Sequence, residues 1–123
     1  MARILIVDDE PEILRMFHLI LVGQGHDVLT TERGDEAIQA VREEGIDLLI
    51  SDVRMTPVDG FEVLRQVREL QAEIPVIMVS AYNQGDAMAR ATSLGALAFL
   101  TKPLASTALI EAVNNALGSI AQG

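Results

Sequence analysis

The sequence predicts an α/β fold: a five-stranded parallel sheet in the order 2-1-3-4-5, flanked by five helices. Two observations point there. Short apolar runs alternate with longer amphipathic stretches five times along the 123 residues, and βα units of that length build parallel sheets with helices on both faces. The run Leu48-Leu49-Ile50, bounded by loop signals, also has the continuous apolar character of a strand buried on both sides.

In chain order, the strand candidates are Ile4–Val7, Asp27–Thr30, Asp47–Ser51, Pro75–Val79 and Ala96–Leu100. The first leads through Asp8-Asp9-Glu10 into Pro11, a residue favoured in a first helical turn, which opens a helix over Pro11–Val22. Helices then follow over Asp35–Glu44, Gly60–Gln71, Gln84–Leu94 and Ser106–Leu117. Gly23, Gly45 and Gly95 stand where helix carboxyl ends stop, and Gly34 and Pro75 punctuate two further junctions. No internal repeat, low-complexity tract or linker interrupts the pattern, so residues 1–123 read as one domain with room for a proper core.

Composition narrows the function classes. The balance is 18 acids against 9 bases, a net charge of −9 spread along the chain. That argues against direct nucleic-acid binding, which needs a basic face. No apolar segment approaches the ~18 residues of a membrane span. The start lacks a secretory pattern, and the absence of cysteine excludes disulfides and thiolate metal sites. The expected setting is cytoplasmic.

The strand ends carry the chemistry. Asp8 and Asp9 come directly after the first strand, Asp52 after the third, Ser80 after the fourth and Lys102 after the fifth. In a parallel sheet these carboxyl ends share one edge, and in this strand order the first and third strands are neighbours at the switch point. A single acid after a strand is usually a helix cap, and Asp9 before Pro11 could serve as one. Four strand ends with complementary chemistry fit that reading poorly. Clustered carboxylates need a cation, and hard oxygen ligands with room for water suit Mg²⁺. Zinc is disfavoured, since His18 and His26 fall away from the acids. Lys102 suits a phosphoryl oxygen or a neighbouring carboxylate. A carboxylate nucleophile at Asp52, a divalent cation, a lysine and a hydroxyl make a phosphoryl-transfer set.

These residues resemble the response-regulator receiver domain, the CheY-like module of two-component signalling. The likeness covers Arg3 to about Leu117 and rests on Asp8-Asp9, on Asp52 with Met55 and Asp59-Gly60, on Ser80-Ala81, and on Lys102-Pro103 with Phe99 three residues earlier. The resemblance implies a phosphoprotein switch, with self-directed phosphotransfer and autodephosphorylation as its only chemistry. Asp52 would accept a phosphoryl group from a phosphohistidine on a sensor histidine kinase or phosphotransfer protein. Asp9, Asp52 and the Arg54 backbone carbonyl would ligate Mg²⁺, and Asp8 would act through water. Lys102 and Ser80 would hold phosphoryl oxygens, and Phe99 would turn inward behind Ser80. The face of the fourth helix, fifth strand and fifth helix would respond, with homodimer formation through it possible. The resemblance also implies a cis peptide before Pro103, and places Arg54 and Tyr82 at the pocket border. The sequence departs from the family where Thr56 separates Met55 from Pro57.

Helix Pro11–Val22 carries a second signal. Ile13, Phe17, Ile20 and Gln24 mark one face, and Leu14, Leu21 and Val22 add apolar flanks interrupted by Arg15 and His18. A helix apolar nearly all round is buried or engaged, so Leu14, His18 and Val22 form a candidate docking face for the phosphodonor. Met16, Met55, Met78 and Met88 read as packing residues, Asp59 as a helix cap, and Arg68 and Glu69 as solvated positions. Two other classes stay open. An aspartyl-phosphate phosphohydrolase would want a second Asp at position 54, which is Arg54. A phosphorylation-independent interaction module would have no need of the intact acid–lysine set.

Overall fold

The computed structural model describes residues 2–71, 73–81 and 85–122. Five strands and five helices alternate: β1 Arg3–Val7, α1 Pro11–Gly23, β2 Asp27–Thr31, α2 Gly34–Glu43, β3 Leu48–Asp52, α3 Gly60–Leu70, β4 Val76–Ser80, α4 Gly85–Ser93, β5 Ala98–Thr101 and α5 Ser106–Gln122. The strands form one sheet in the order β2-β1-β3-β4-β5, every pair parallel.

Alternating side chains explain why the central strands are apolar throughout. Ile4 and Ile6 of β1, Leu48 and Ile50 of β3, and Ile77 and Val79 of β4 pack with Leu14, Phe17 and Leu21 of α1 and Leu109 and Val113 of α5. Their neighbours Leu5, Val7, Leu49, Val76 and Met78 point the other way, onto α2 and α3. A strand covered on both faces has no position to spare for solvent. β3 and β4 are buried at every residue, whereas the edge strand β5 is half-buried along its length.

Element boundaries differ from expectation where hydrogen bonding overrides polarity. Asp52 and Ser80 are the last residues of β3 and β4, paired across the ladder with Val79 and Thr101, rather than the first residues of loops. In α1 the turn is closed by Gly25 instead of Gly23: at φ 89° its amide bonds the Val22 carbonyl while the His26 amide bonds that of Leu21. Gly95 at φ 97° closes α4 the same way, with its own amide on Thr92 and that of Ala96 on Ala91. This paired closure wants a left-handed residue one step past the cap, where glycine carries no Cβ penalty. The expected α1 face is met in part: Phe17 is buried and Ile13 and Ile20 pack half-buried against the core, joined by Leu14 and Leu21, while Gln24 is exposed.

Arg68 is not an ordinary solvated residue. Its half-buried guanidinium donates to the carbonyls of Ile74 at 2.5 Å and Gly95 at 2.6 Å, tying the end of α3 to the entry of β4 and to the α4–β5 turn. Glu69 does lie at the surface, paired with Arg65.

Candidate functional site

Parallel pairing alone gathers the polar strand ends. Val7 stands beside Ser51, Asp52 beside Val79 and Ser80 beside Thr101. The Lys102 amide then donates to the Ser80 carbonyl at 2.7 Å. Residues far apart in sequence therefore line one crevice of about 300 Å³, formed by Asp9, Glu10, Asp52, Arg54, Ser80, Ala81 and Lys102. A second cavity of about 480 Å³ shares Asp9, Arg54 and Ser80 and continues past Thr56, Phe61 and Ala87 to Arg90.

The α3 start is shaped around the backbone of Asp52. The Gly60 amide donates to the Val53 carbonyl at 2.8 Å, and a Cβ at Gly60 would stand 2.0 Å from the Asp52 carbonyl oxygen. Only glycine permits that approach. Next to it, the Asp59 carboxylate accepts the Glu62 amide at 2.9 Å, as a helix cap does. The pair Asp59-Gly60 therefore caps the helix and lets it sit against Asp52. α1 is opened differently: Glu10, not Asp9, is its cap residue, and it makes no side-chain cap.

Lys102 is the electrostatic centre. Its ammonium lies 2.7 Å from Asp8, 3.1 Å from Glu10 and 3.4 Å from Asp52. Burial works against that charge, but the three carboxylates hold its pKa above the ordinary lysine value. It is a pinned charge in this structure, with its side chain 9% exposed, rather than a mobile one. Burial, reinforced by the Asp8 charge and only partly offset by Lys102, pushes Asp52 up to about 6. Burial also raises Asp8, against the pull of Lys102 and of the Glu10 amide, which bonds Asp8 Oδ1 at 2.9 Å.

The donor chemistry fits a hard divalent cation. Carboxylate oxygens of Asp8, Asp9 and Glu10 lie within 4.8 Å of one another, a hard oxygen set of the kind Mg²⁺ prefers. Sequence reasoning did not single out Glu10; the run of three acids was the available signal. Asp52 is not part of that close triple, and lies 3.4 Å from the Lys102 ammonium. Phe99 is half-buried beside Met78 in register and packs on the α2–α3 side of the core. The Lys102-Pro103 peptide is cis, and so is Thr56-Pro57, which the sequence did not signal. Tyr82 and Gln84 lie outside the described residues.

The proposed docking trio separates. Leu14 is 7% exposed and belongs to the core, so it offers no surface to a partner. His18 is half-buried, and Val22 is exposed together with Met16 and Leu19. Met55 and Met78 are core residues, as expected, while Met16 and Met88 are not. His26 accepts the Ala2 amide at 3.4 Å, and burial lowers its pKa. No helix among the described residues is long and apolar enough to cross a membrane.

Comparison with known proteins agrees with this geometry. Residues 4–114 match the model of the response regulator receiver domain. The chain is 37% identical to the transcriptional regulatory protein GlrR of Escherichia coli K12 over 116 residues, 94% of this chain but 26% of GlrR. It is 34% identical to the chemotaxis protein CheY of Bacillus subtilis over 116 residues, 94% of this chain and 97% of CheY. Among solved structures, a CheY-like receiver domain from Methanospirillum hungatei superposes with a TM-score of 0.95 at 27% identity, covering 100% of this chain and 99% of its own. The chain thus spans about a quarter of the length of the transcriptional regulators it matches and nearly all of CheY. Fold and similarity agree: the chain belongs to the response regulator receiver domain family of two-component signalling, whose general role is to accept a phosphoryl group.

Proposed function

We propose that Asp52 is the phosphoacceptor of this receiver domain, and that the chain is a signalling switch with no substrate other than itself. The observation that carries this is the placement of Asp52: a buried carboxylate at the end of a central strand, 3.4 Å from Lys102 and flanked by Asp9 and Ser80 in one crevice. Its ionised oxygen attacks phosphorus; an O–P bond forms as the N–P bond of the donor phosphohistidine breaks, and that electron pair stays on the imidazole. Lys102 sits close enough to Asp52 to reach an oxygen of the incoming group, and Ser80 lines the same crevice. Asp9, Asp52 and the Arg54 carbonyl would hold Mg²⁺, with Asp8 and Glu10 adding negative charge nearby. When bound, the ion supplies charge neutralisation between carboxylate and phosphoryl oxygens.

The donor is a sensor histidine kinase or phosphotransfer protein. Met16, Leu19 and Val22, exposed at helical spacing on α1, offer it an apolar stripe, and His18 borders them. The responding surface is α4, β5 and α5, through Ser80, Phe99 and Lys102; a homodimer through that face is part of the same reading. The setting is cytoplasmic, where kinase and regulator meet.

The test is incubation with acetyl phosphate, or with a beryllofluoride salt, plus Mg²⁺. One equivalent of adduct on Asp52, absent in Asp52→Asn, is the expected result. Rapid multiple turnover would point instead to a phosphohydrolase, and no adduct to a phosphorylation-independent module.

A further inference from the structure

Lys102 is shared unequally. Its two shortest contacts go to Asp8 at 2.7 Å and Glu10 at 3.1 Å, and its longest to Asp52 at 3.4 Å. The two near partners differ in freedom. The Asp8 side chain is 2% exposed, whereas that of Glu10 is 60% exposed and stands at the crevice mouth. Glu10 also acts on Asp8, through its backbone amide on Oδ1 and, more weakly, through the charge of its carboxylate. A side-chain substitution at Glu10 therefore leaves that bond in place and removes only the carboxylate facing Lys102.

We propose that Glu10 is a positioning residue that restrains Lys102: its carboxylate draws the ammonium toward the Asp8 side and competes with phosphoryl oxygens on Asp52 for it. The inference rests on the assignment of Asp52 as phosphoacceptor. An ammonium has three donors, and in the resting chain they face three carboxylates. A phosphoryl group on Asp52 brings further anionic oxygens to the same cation. The partner that can be released is the exposed one. Until it is, its charge also repels the incoming anion. Glu10 thus biases the domain toward its unphosphorylated form, while its negative charge beside Asp8 and Asp9 favours a divalent cation.

These two effects have opposite signs, which separates positioning from general structural support. Calorimetric titration with Mg²⁺ alone, and then with beryllofluoride at saturating Mg²⁺, is run on the wild-type chain and Glu10→Gln. The expected result is Mg²⁺ affinity a few-fold weaker and beryllofluoride affinity about three- to tenfold tighter in the variant, the scale of one partly exposed ion pair. Beryllofluoride binding that is unchanged, or that weakens together with Mg²⁺, overturns the inference. Failure of the wild-type chain to bind beryllofluoride is a distinct result: it removes the phosphoacceptor reading, and the role of Glu10 with it.

Discussion

α3 and α4 pack on the same side of the sheet, yet they are held very differently. α3 buries Gly60, Phe61, Val63, Leu64 and Val67 and is capped by Asp59. Of the described side chains of α4, only Ala91 is buried, while Met88 is 44% exposed. The strands repeat the contrast, with β3 and β4 buried throughout and β5 half-buried throughout. Asp52, the proposed phosphoacceptor, stands on the firmly packed half. The elements reached from Ser80 and Lys102 stand on the loosely packed one. Elements with little buried apolar area open at low free-energy cost, so on the proposed reading a local charge event would have enough leverage to shift them.

The most direct way to break this comparison is to truncate one side chain on each helix. Leu64 is fully buried between α3 and the sheet, and Leu64→Ala is expected to cost ~4 kcal/mol, the lost transfer energy plus a cavity. Met88→Ala is expected to stay within ~0.5 kcal/mol, as for exposed positions generally. Urea unfolding of both variants checks this. Similar losses at the two sites would show α4 to be as firmly packed as α3.

At the seam between the halves, Asp52 makes the fold pH-dependent. Its pKa rises from an ordinary 3.8 to about 6 in the folded chain, so over that window the folded state binds more protons than the unfolded one. Stability is therefore expected to fall as pH rises from about 4 to about 6 without Mg²⁺, by up to ~3 kcal/mol for this group. The raised pKa of Asp8 acts in the same direction. Asp52→Asn removes the largest part of the dependence and raises stability at pH 7. A variant with the same pH slope as the wild-type chain would mean that the strain sits elsewhere.

Legibility in the sequence divides along the same line. The order of elements could be read because β1, β3 and β4 are covered on both faces, and an apolar run with a polar end is the direct imprint of that. Asp8, Asp9, Asp52, Ser80 and Lys102 could be read for the same reason: parallel pairing brings strand ends together whatever loops intervene. The Glu10–Lys102 pair could not, since it spans 92 residues and depends on where a flexible side chain settles. The docking role of Leu14 was misplaced because an almost uniformly apolar helix leaves the edge of its buried face undetermined, and Leu14 proved to be core. Arg68 left no trace, because its partners are backbone carbonyls, and any residue type supplies those.

That same arginine gives the finest test of the comparison. Besides the α4 closure at Gly95, the α4–β5 turn is tied to α3 through Arg68, whose guanidinium bridges the Ile74 and Gly95 carbonyls and lies close over Gly95. Burial pulls its pKa below the ordinary arginine value, and desolvation of a charged group offsets part of what its hydrogen bonds contribute. Arg68→Gln is expected to cost ~1–2 kcal/mol. Arg68→Lys should recover little, because a single ammonium lacks the planar fork that spans two acceptors. The location of the loss matters more than its size. Amide hydrogen exchange should quicken at Ala96 and Leu97, whose amides close the turn onto Ala91 and Val76, while Val63 to Val67 keep their protection. If α3 loses protection equally, Arg68 supports the whole face, and the boundary between the firm and the loose half lies beyond the turn, within α4 itself.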